Sequence, residues 1–349
     1  MSRLVGGLLK KLNREKKLYS YIFAAAAIFL LIVVDLLIIE ITSKKYPAYG
    51  GSSRRNSSAG TNNTISSLPA DFNFAAAGDW GCTSNTNMTV NNILDKKPEL
   101  VLALGDYSYN RTSDDCWFKV VDPIDQKMKI AIGNHDHRGI GQLYRYMNHF
   151  GLREQYYSFN YQNIHFVALS TEIPFNVTSA QYKFVNNDLS KAASNPNIDW
   201  IVVYYHRPMY TIPSKHPAIS SLRSTYHPLF EQYGVDLVLQ GHNHNYQRTY
   251  PIKFDSVNPE HPIETSTNKT TYRDPNGGGQ IFTTVGTGGE DLYPFKDQKD
   301  SKKGNNYYVK DYIGFGILDV DITNNGKTLT GKFYADNSGK IIDQFTIIK

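Results

Sequence analysis

The chain has 349 residues, with 37 Lys and Arg against 32 Asp and Glu, 40% apolar residues and two cysteines. Such an apolar share suits a globular chain with a sizeable core and excludes an intrinsically disordered protein, while two cysteines exclude a small disulfide-stapled fold. The net charge of +5 is no nucleic-acid footprint: residues 1–45 carry eight basic against three acidic residues, whereas residues 71–349 carry 27 against 29.

In chain order, six basic residues fall within the first 17, and residues 18–42 follow as an apolar run broken only by Asp35 and Glu40. A helix of this length spans a hydrocarbon layer of ~30 Å. Because Lys and Arg stay on the cytoplasmic side, residues 1–17 read as a cytoplasmic tail and residues 18–42 as an uncleaved signal anchor. Everything beyond is then extracellular or lumenal, on a single-pass membrane protein. The alternative is a signal peptide whose cleavage releases a secreted protein, but the apolar core is long for one and no A-x-A site follows it.

Residues 43–70 are rich in Ser, Gly and Asn without apolar periodicity, which predicts a flexible linker. Sequons at Asn56, Asn62, Asn87, Asn110, Asn176 and Asn268 suit a glycoprotein surface outside the cytosol. Cys82 and Cys116 form an even pair, open either to one disulfide bracing two loop bases or to two buried thiols.

Residues 71–349 read as one α/β domain. Five short apolar runs each end in a polar cluster: FNFAAA at GDWG, LVLAL at GDYSYN, KIAI at GNHDHRG, WIVVYY at HRPMY and VDLVL at QGHNHNYQR. Continuous apolar runs suit strands covered on both faces, with helices expected between them, for example over residues 87–96 and 180–194. Ligands of such sheets bind outside the carboxyl ends of the strands, so the five clusters are expected to share one cleft. Carboxylate, phenol, amide oxygen and imidazole together suit a pair of first-row metals, or a hard trivalent ion beside a divalent one. A two-metal site needs one bridging carboxylate, for which Asp106 is the candidate. The absence of a thiolate cluster argues against structural zinc or iron–sulfur.

Asp79 in GDWG, Asp106 and Tyr109 in GDYSY, Asn134 and His135 in GNHD, His206 in VVYYHRP, and His242 and His244 in GHNH resemble the five blocks of the purple acid phosphatases. These belong to the calcineurin-like metallophosphoesterase superfamily, and the resemblance runs from residue 72 to about residue 345. It implies a four-layer αββα sandwich, two mixed sheets flanked by helices. It also implies that Asp79, Asp106, Tyr109 and His244 hold Fe(III), while Asp106, Asn134, His206 and His242 hold a divalent Fe, Zn or Mn ion. In that family the tyrosine binds ferric iron, and charge transfer from its phenolate gives the colour. His135 there touches phosphate and leaving group rather than metal, and a second family histidine past the VxxH-type ligand matches His216.

The implied activity is acid hydrolysis of phosphate monoesters. A metal-bound hydroxide attacks phosphorus in line, and His135, with His216, protonates the leaving alkoxide. A phosphodiesterase acting on nucleotides or lipid head groups with the same dimetal core is one alternative, and a non-catalytic surface ectodomain another. Residues 285–294, VGTGGEDLYP, resemble a glycine-rich loop that closes the cleft, although a plain turn reads equally well. Plant-type members carry a β-sandwich domain before the catalytic one; here only the linker separates the expected anchor from residue 71, so the chain resembles the small single-domain type. His137, His149, His165, His227 and His261 read as structural, and Tyr246 and Arg248 as packing or pairing behind the site.

Overall fold

A computed structural model describes residues 71–110, 113–273, 278–296 and 306–349. The expected tail, anchor and linker, residues 1–70, lie outside the described residues. Among those described, no helix is long and apolar enough to cross a membrane.

The chain runs β1 (Phe72–Ala77), α1 (Ser84–Lys96), β2 (Leu100–Ala103), α2 (Asp115–Val121), β3 (Met128–Ile130), α3 (Ile140–His149), β4 (Tyr157–Tyr161), β5 (Ile164–Ala168), α4 (Ala180–Ala193), β6 (Trp200–Tyr204), α5 (Ser220–Gln232) and β7 (Leu237–Gln240). Strands dominate thereafter: β8 (Tyr246–Thr249), β9 (Ile252–Lys253), β10 (Ile263–Glu264), β11 (Thr271–Arg273), β12 (Ile281–Val285), β13 (Tyr308–Tyr312), β14 (Gly316–Thr323), β15 (Thr328–Ala335) and β16 (Ile341–Ile348). Helix α1 begins three residues before the expected 87, because Thr83 caps it: its hydroxyl accepts from the Asn85 and Thr86 amides, and the Thr86 hydroxyl accepts from the Thr83 amide. It stops at Lys97, which turns left-handed (φ 54°) ahead of Pro98.

Two seven-stranded mixed sheets result. The first has the order β11-β16-β15-β14-β1-β2-β3 and the second β13-β8-β12-β7-β6-β5-β4, with β9 and β10 as a separate ribbon. The five expected strands all run parallel to their expected neighbours: β1, β2 and β3 form one side of the first sheet, out to its edge, and β6 and β7 lie at the centre of the second, where β5 and β12 extend the parallel set. What the apolar runs did not reveal is the antiparallel meander β14-β15-β16 beside β1. Its burial alternates residue by residue in β15, the signature of a strand with one face in the core.

Alternation along the central strands sorts their side chains into three apolar cores. Phe74, Leu102, Phe166, Val202, Leu239, Val320 and Phe333 fill the space between the sheets. Ala75, Val101 and Ile130 face outward under Val90 and Ile93 of α1, Trp117 of α2 and Tyr146 of α3. Val167, Val203 and Val238 do the same under Val185 and Leu189 of α4 and Leu222 and Phe230 of α5. The layers thus run helix, sheet, sheet, helix. Each large apolar side chain buried here contributes roughly 1.5–3 kcal/mol. Cys82 and Cys116 are joined in a disulfide with Cα atoms 5.8 Å apart, which ties the β1–α1 turn to α2.

Candidate metal centre

Each polar cluster sits just past the carboxyl end of a parallel strand: Asp79 after β1, Asp106 and Tyr109 after β2, Asn134 and His135 after β3, His206 after β6, and His242 and His244 after β7. The chain must turn sharply there. Asp79 (φ 59°), Asp106 (55°), Tyr109 (54°) and His242 (70°) are four of the eight non-glycine residues with left-handed backbone among those described. Such a conformation costs on the order of 1–3 kcal/mol at each residue and persists only where the surroundings impose it. Two glycines allow the loops to meet. A Cβ on Gly133 would lie 2.3 Å from Asp106 Oδ1, and one on Gly286 would lie 2.2 Å from the Asn243 carbonyl.

One half of the centre is Asp79, Tyr109 and His244. The Tyr109 hydroxyl lies 3.1 Å from Asp79 Oδ1 and 2.9 Å from His244 Nε2, and His244 Nε2 lies 3.3 Å from that carboxylate oxygen. His244 Nδ1 donates to the Asp291 carbonyl at 2.5 Å, so Nε2 presents a lone pair, and one phenol hydrogen is left for two acceptors. Burial, reinforced by Asp79, pushes the Tyr109 phenol well above its ordinary range.

The other half is Asp106, Asn134, His206 and His242. His206 Nε2 lies 3.2 Å from Asp106 Oδ2, 3.2 Å from Asn134 Oδ1 and 3.1 Å from His242 Nδ1. Its Nδ1 is committed to the Leu104 carbonyl at 2.9 Å, which leaves Nε2 to face those three atoms. Burial alone would lower the His206 pKa, but Asp106, Asp79 and Glu172 hold it up at about 10. Burial likewise would raise Asp106, and the His206 charge outweighs it and holds the carboxyl far below its usual value. Ligand atoms of Asp106, His206 and His242 all lie within 4.8 Å of one another, and all three side chains are buried. Buried carboxylate and imidazole ligand atoms converging this closely, with the histidine rings oriented by backbone carbonyls, fit cations in both halves.

Behind the centre, the Asp136 carboxylate accepts from the Asp106, Tyr107 and Gly133 amides, each at 2.8 Å, and pins the β2 and β3 loops together. In front opens a cleft of about 390 Å³. His135 lies along it with its ring 4.0 Å from that of Tyr109; its Nε2 is 3.9 Å from Asp106 Oδ2 and 2.6 Å from an Arg138 guanidinium nitrogen. Burial, against the pull of Asp106 and with help from Arg138, lowers its pKa to about 4. On the other side His216 stacks on His242 at 4.1 Å between ring centres. Tyr293 stacks on His244 at 3.8 Å and receives Lys215 Nζ at its hydroxyl, 3.0 Å away.

All nine residues expected from the sequence therefore come together at one centre; seven of them line the cleft, with Asp79 and His206 wholly buried behind it. Arg138, Lys215 and Tyr293, which also line it, went unnoticed in the sequence. Tyr293 belongs to the 285–294 loop, so that segment closes over the centre rather than forming a plain turn. Of the histidines without an expected role, His149 pairs with Asp125, His165 with Asp188, and His227 with Tyr210 and Gln280, whereas His137 and His261 are exposed.

Residues 72–246 match the calcineurin-like phosphoesterase family, and the chain belongs to it. Within that class it is similar to purple acid phosphatase 15 of Arabidopsis thaliana, 27% identical over 238 residues that cover 57% of this chain and 44% of that one. It is also similar to acid phosphatase type 7 of Mus musculus, 26% identical over 285 residues, covering 72% and 61%. Its fold resembles that of a purple acid phosphatase from yellow lupin seeds (Lupinus luteus), with a TM-score of 0.67 at 20% identity over 80% of this chain and 54% of that one. The chain spans about half the length of the first curated relatives it matches.

Proposed function

We propose that residues 71–349 hydrolyse phosphate monoesters at a centre of two cations. The observation that carries this reading is the pair of buried histidine nitrogens, His206 Nε2 and His244 Nε2, each set against a buried carboxylate oxygen at 3.2–3.3 Å. Relatives named as acid phosphatases support the reaction class. Asp79, Tyr109 and His244 with Asp106 would hold Fe(III), and Asp106 with Asn134, His206 and His242 would hold divalent Fe, Zn or Mn. Bound there, the cations supply charge neutralisation at phosphorus and a more acidic water. The remaining work belongs to the chain. His216, ranged against the second half, delivers a proton to the leaving ester oxygen, and His135, ranged against the first, contacts the phosphate beside it. Arg138 donates to His135 Nε2 at 2.6 Å and so holds that ring at the cleft.

The full-length protein purified in detergent should contain two metal ions and turn over p-nitrophenyl phosphate faster than bis-p-nitrophenyl phosphate. Asp106→Ala should lose metal and activity together. Near-normal turnover in that variant overturns the reading, and a preference for the diester changes its substrate class.

The same proposal keeps residues 71–349 outside the cytosol on an anchor formed by residues 18–42. The basic residues that precede this segment support it, as does the Cys82–Cys116 disulfide, a bond that persists in oxidising compartments. Protease should then remove an extracellular domain from intact cells or spare a lumenal one even after the plasma membrane alone is permeabilised; cleavage that appears only once the plasma membrane is opened would contradict the orientation.

A further inference from the structure

Asn243, the residue between the two histidines of GHNH, is fully buried and spends its whole hydrogen-bonding capacity on residues 211–216. Its Oδ1 accepts from the Ser214 hydroxyl at 2.6 Å and from the His216 amide at 3.0 Å. Its Nδ2 donates to Thr211 Oγ1 at 2.8 Å and to the His216 carbonyl at 2.9 Å. The direction of the side-chain amide is unambiguous, since a backbone N–H must donate and a carbonyl must accept. One side chain thus grips both backbone groups of His216, as a neighbouring strand would.

The neighbourhood is built around that grip. Gln247 Oε1 accepts from the Ile212 amide at 2.6 Å and its Nε2 donates to Thr211 Oγ1 at 3.0 Å, bracing the start of the same segment. Gly286 has no side chain because the Asn243 carbonyl occupies the place of its Cβ. At the far end of the grip, the His216 ring lies 4.1 Å from that of His242 at an interplanar angle of 25°, and 5.6 Å from that of Tyr293. Pro213 and Pro217 flank the segment without amide hydrogens of their own to bind it elsewhere.

We propose that Asn243 is a positioning residue. It fixes the His216 imidazole against the half of the centre formed by Asp106, Asn134, His206 and His242, so that the proton donor and the ligands on the β7 loop move as one unit. The assignment rests on the monoester reading above, in which His216 serves the leaving group.

The test compares full-length wild type, Asn243→Ala, His216→Ala and the double variant on two monoesters. Phenyl phosphate releases a poor leaving group that needs a proton, whereas 2,4-dinitrophenyl phosphate releases one that does not. Asn243→Ala should lower kcat on phenyl phosphate by about 100-fold, the low end of what general acid catalysis contributes, and change kcat on the dinitrophenyl ester by less than about 3-fold. His216→Ala should show the same split, and the double variant should be no slower than His216→Ala. Metal content should match wild type. Asn243→Asp keeps the acceptor for the His216 amide and loses the donor to its carbonyl, so it should fall between; it also serves should the alanine variant not fold. Independently of activity, hydrogen exchange at the His216 amide should quicken at least 10-fold in Asn243→Ala while β7 stays protected.

Equal slowing of both esters, or an unchanged His216 amide, overturns the inference. If that happens while His216→Ala still shows the leaving-group split, the proposed function stands and only the role of Asn243 falls. If wild type turns over neither ester, the proposed function falls with the catalytic part of the inference.

Discussion

Replacing Arg248 by Ala should be among the most damaging single changes far from the cleft. Arg248 is fully buried on β8 and forms a bidentate pair with Asp343 on β16, Nε to Oδ2 at 2.6 Å and Nη2 to Oδ1 at 2.9 Å. It also donates to the Tyr272 hydroxyl at 2.9 Å and the Lys269 carbonyl at 3.0 Å. One side chain therefore clamps the second sheet, through the strand that leaves the GHNH loop, to the edge of the first. Its removal leaves the Asp343 carboxylate, 9% exposed, with the Tyr246 hydroxyl at 2.8 Å as a remaining donor in the core. Breaking a buried pair from one side costs about 3–5 kcal/mol, because the orphaned charge stays desolvated. For a domain of this size about 4 kcal/mol corresponds to a fall in Tm of roughly 10 °C. Urea unfolding of wild type, Arg248→Ala, Asp343→Ala and Arg248→Met/Asp343→Leu measures the effect directly. The double variant should recover most of the loss, since no charge is then left alone. A cost below about 1 kcal/mol for both single variants would refute the clamp.

Tyr109→Phe should abolish the visible charge-transfer band expected of a ferric phenolate; a band that survives the change assigns the colour elsewhere, and a colourless wild type removes iron from that half. His227, buried between the Tyr210 hydroxyl at 2.8 Å and Gln280 Oε1 at 3.0 Å, has its pKa lowered to about 4, chiefly by burial. Because the unfolded chain binds that proton near pH 6.5, the contribution of His227 is complete above pH 6.5. It is lost as pH falls toward 4, by about 3 kcal/mol. Stability curves of His227→Gln should lack that component of the slope; parallel curves for variant and wild type would contradict it. Removing the Cys82–Cys116 bridge, which closes a separation of 34 residues, with Cys82→Ser/Cys116→Ser should cost about 4 kcal/mol by loop entropy. An unchanged denaturation midpoint would show that the bridge does not constrain the unfolded chain.

Much of the centre was legible because its chemistry is local in sequence. A buried parallel strand is a run of apolar residues, and the ligand follows within a few positions of its carboxyl end, as in LVLALGD or LVLQGH. The meander β14-β15-β16 escaped notice because its one-faced alternation lacks such a flag. Cys82 and Cys116 were open to two readings until their Cα atoms proved to be 5.8 Å apart. Arg138 and Tyr293 carry no mark that separates them from other charged or aromatic loop residues; only their approach to His135 and His244 selects them.

By itself the sequence determined the kinds of ligand, their order along the chain and the N-terminal origin of the positive charge, all of which follow from residue identity and short-range pattern. The tertiary structure alone decided which lone pairs face one another. The His242 amide bonds Asp79 across 163 residues, and His206 reaches Leu104 across 102. Left-handed backbone at Asp79, Asp106, Tyr109 and His242 was equally invisible, since Asp and His enter that region more often than most side chains but still in a small minority of cases, and Tyr more rarely. Asn243, an ordinary residue between two conspicuous ones, acquires its four partners only when β6 and β7 lie side by side and bring their following loops within hydrogen-bond reach. Hydrogen bonds act over about 3 Å of space, whatever the separation along the chain, so strand order settles these contacts and residue pattern does not.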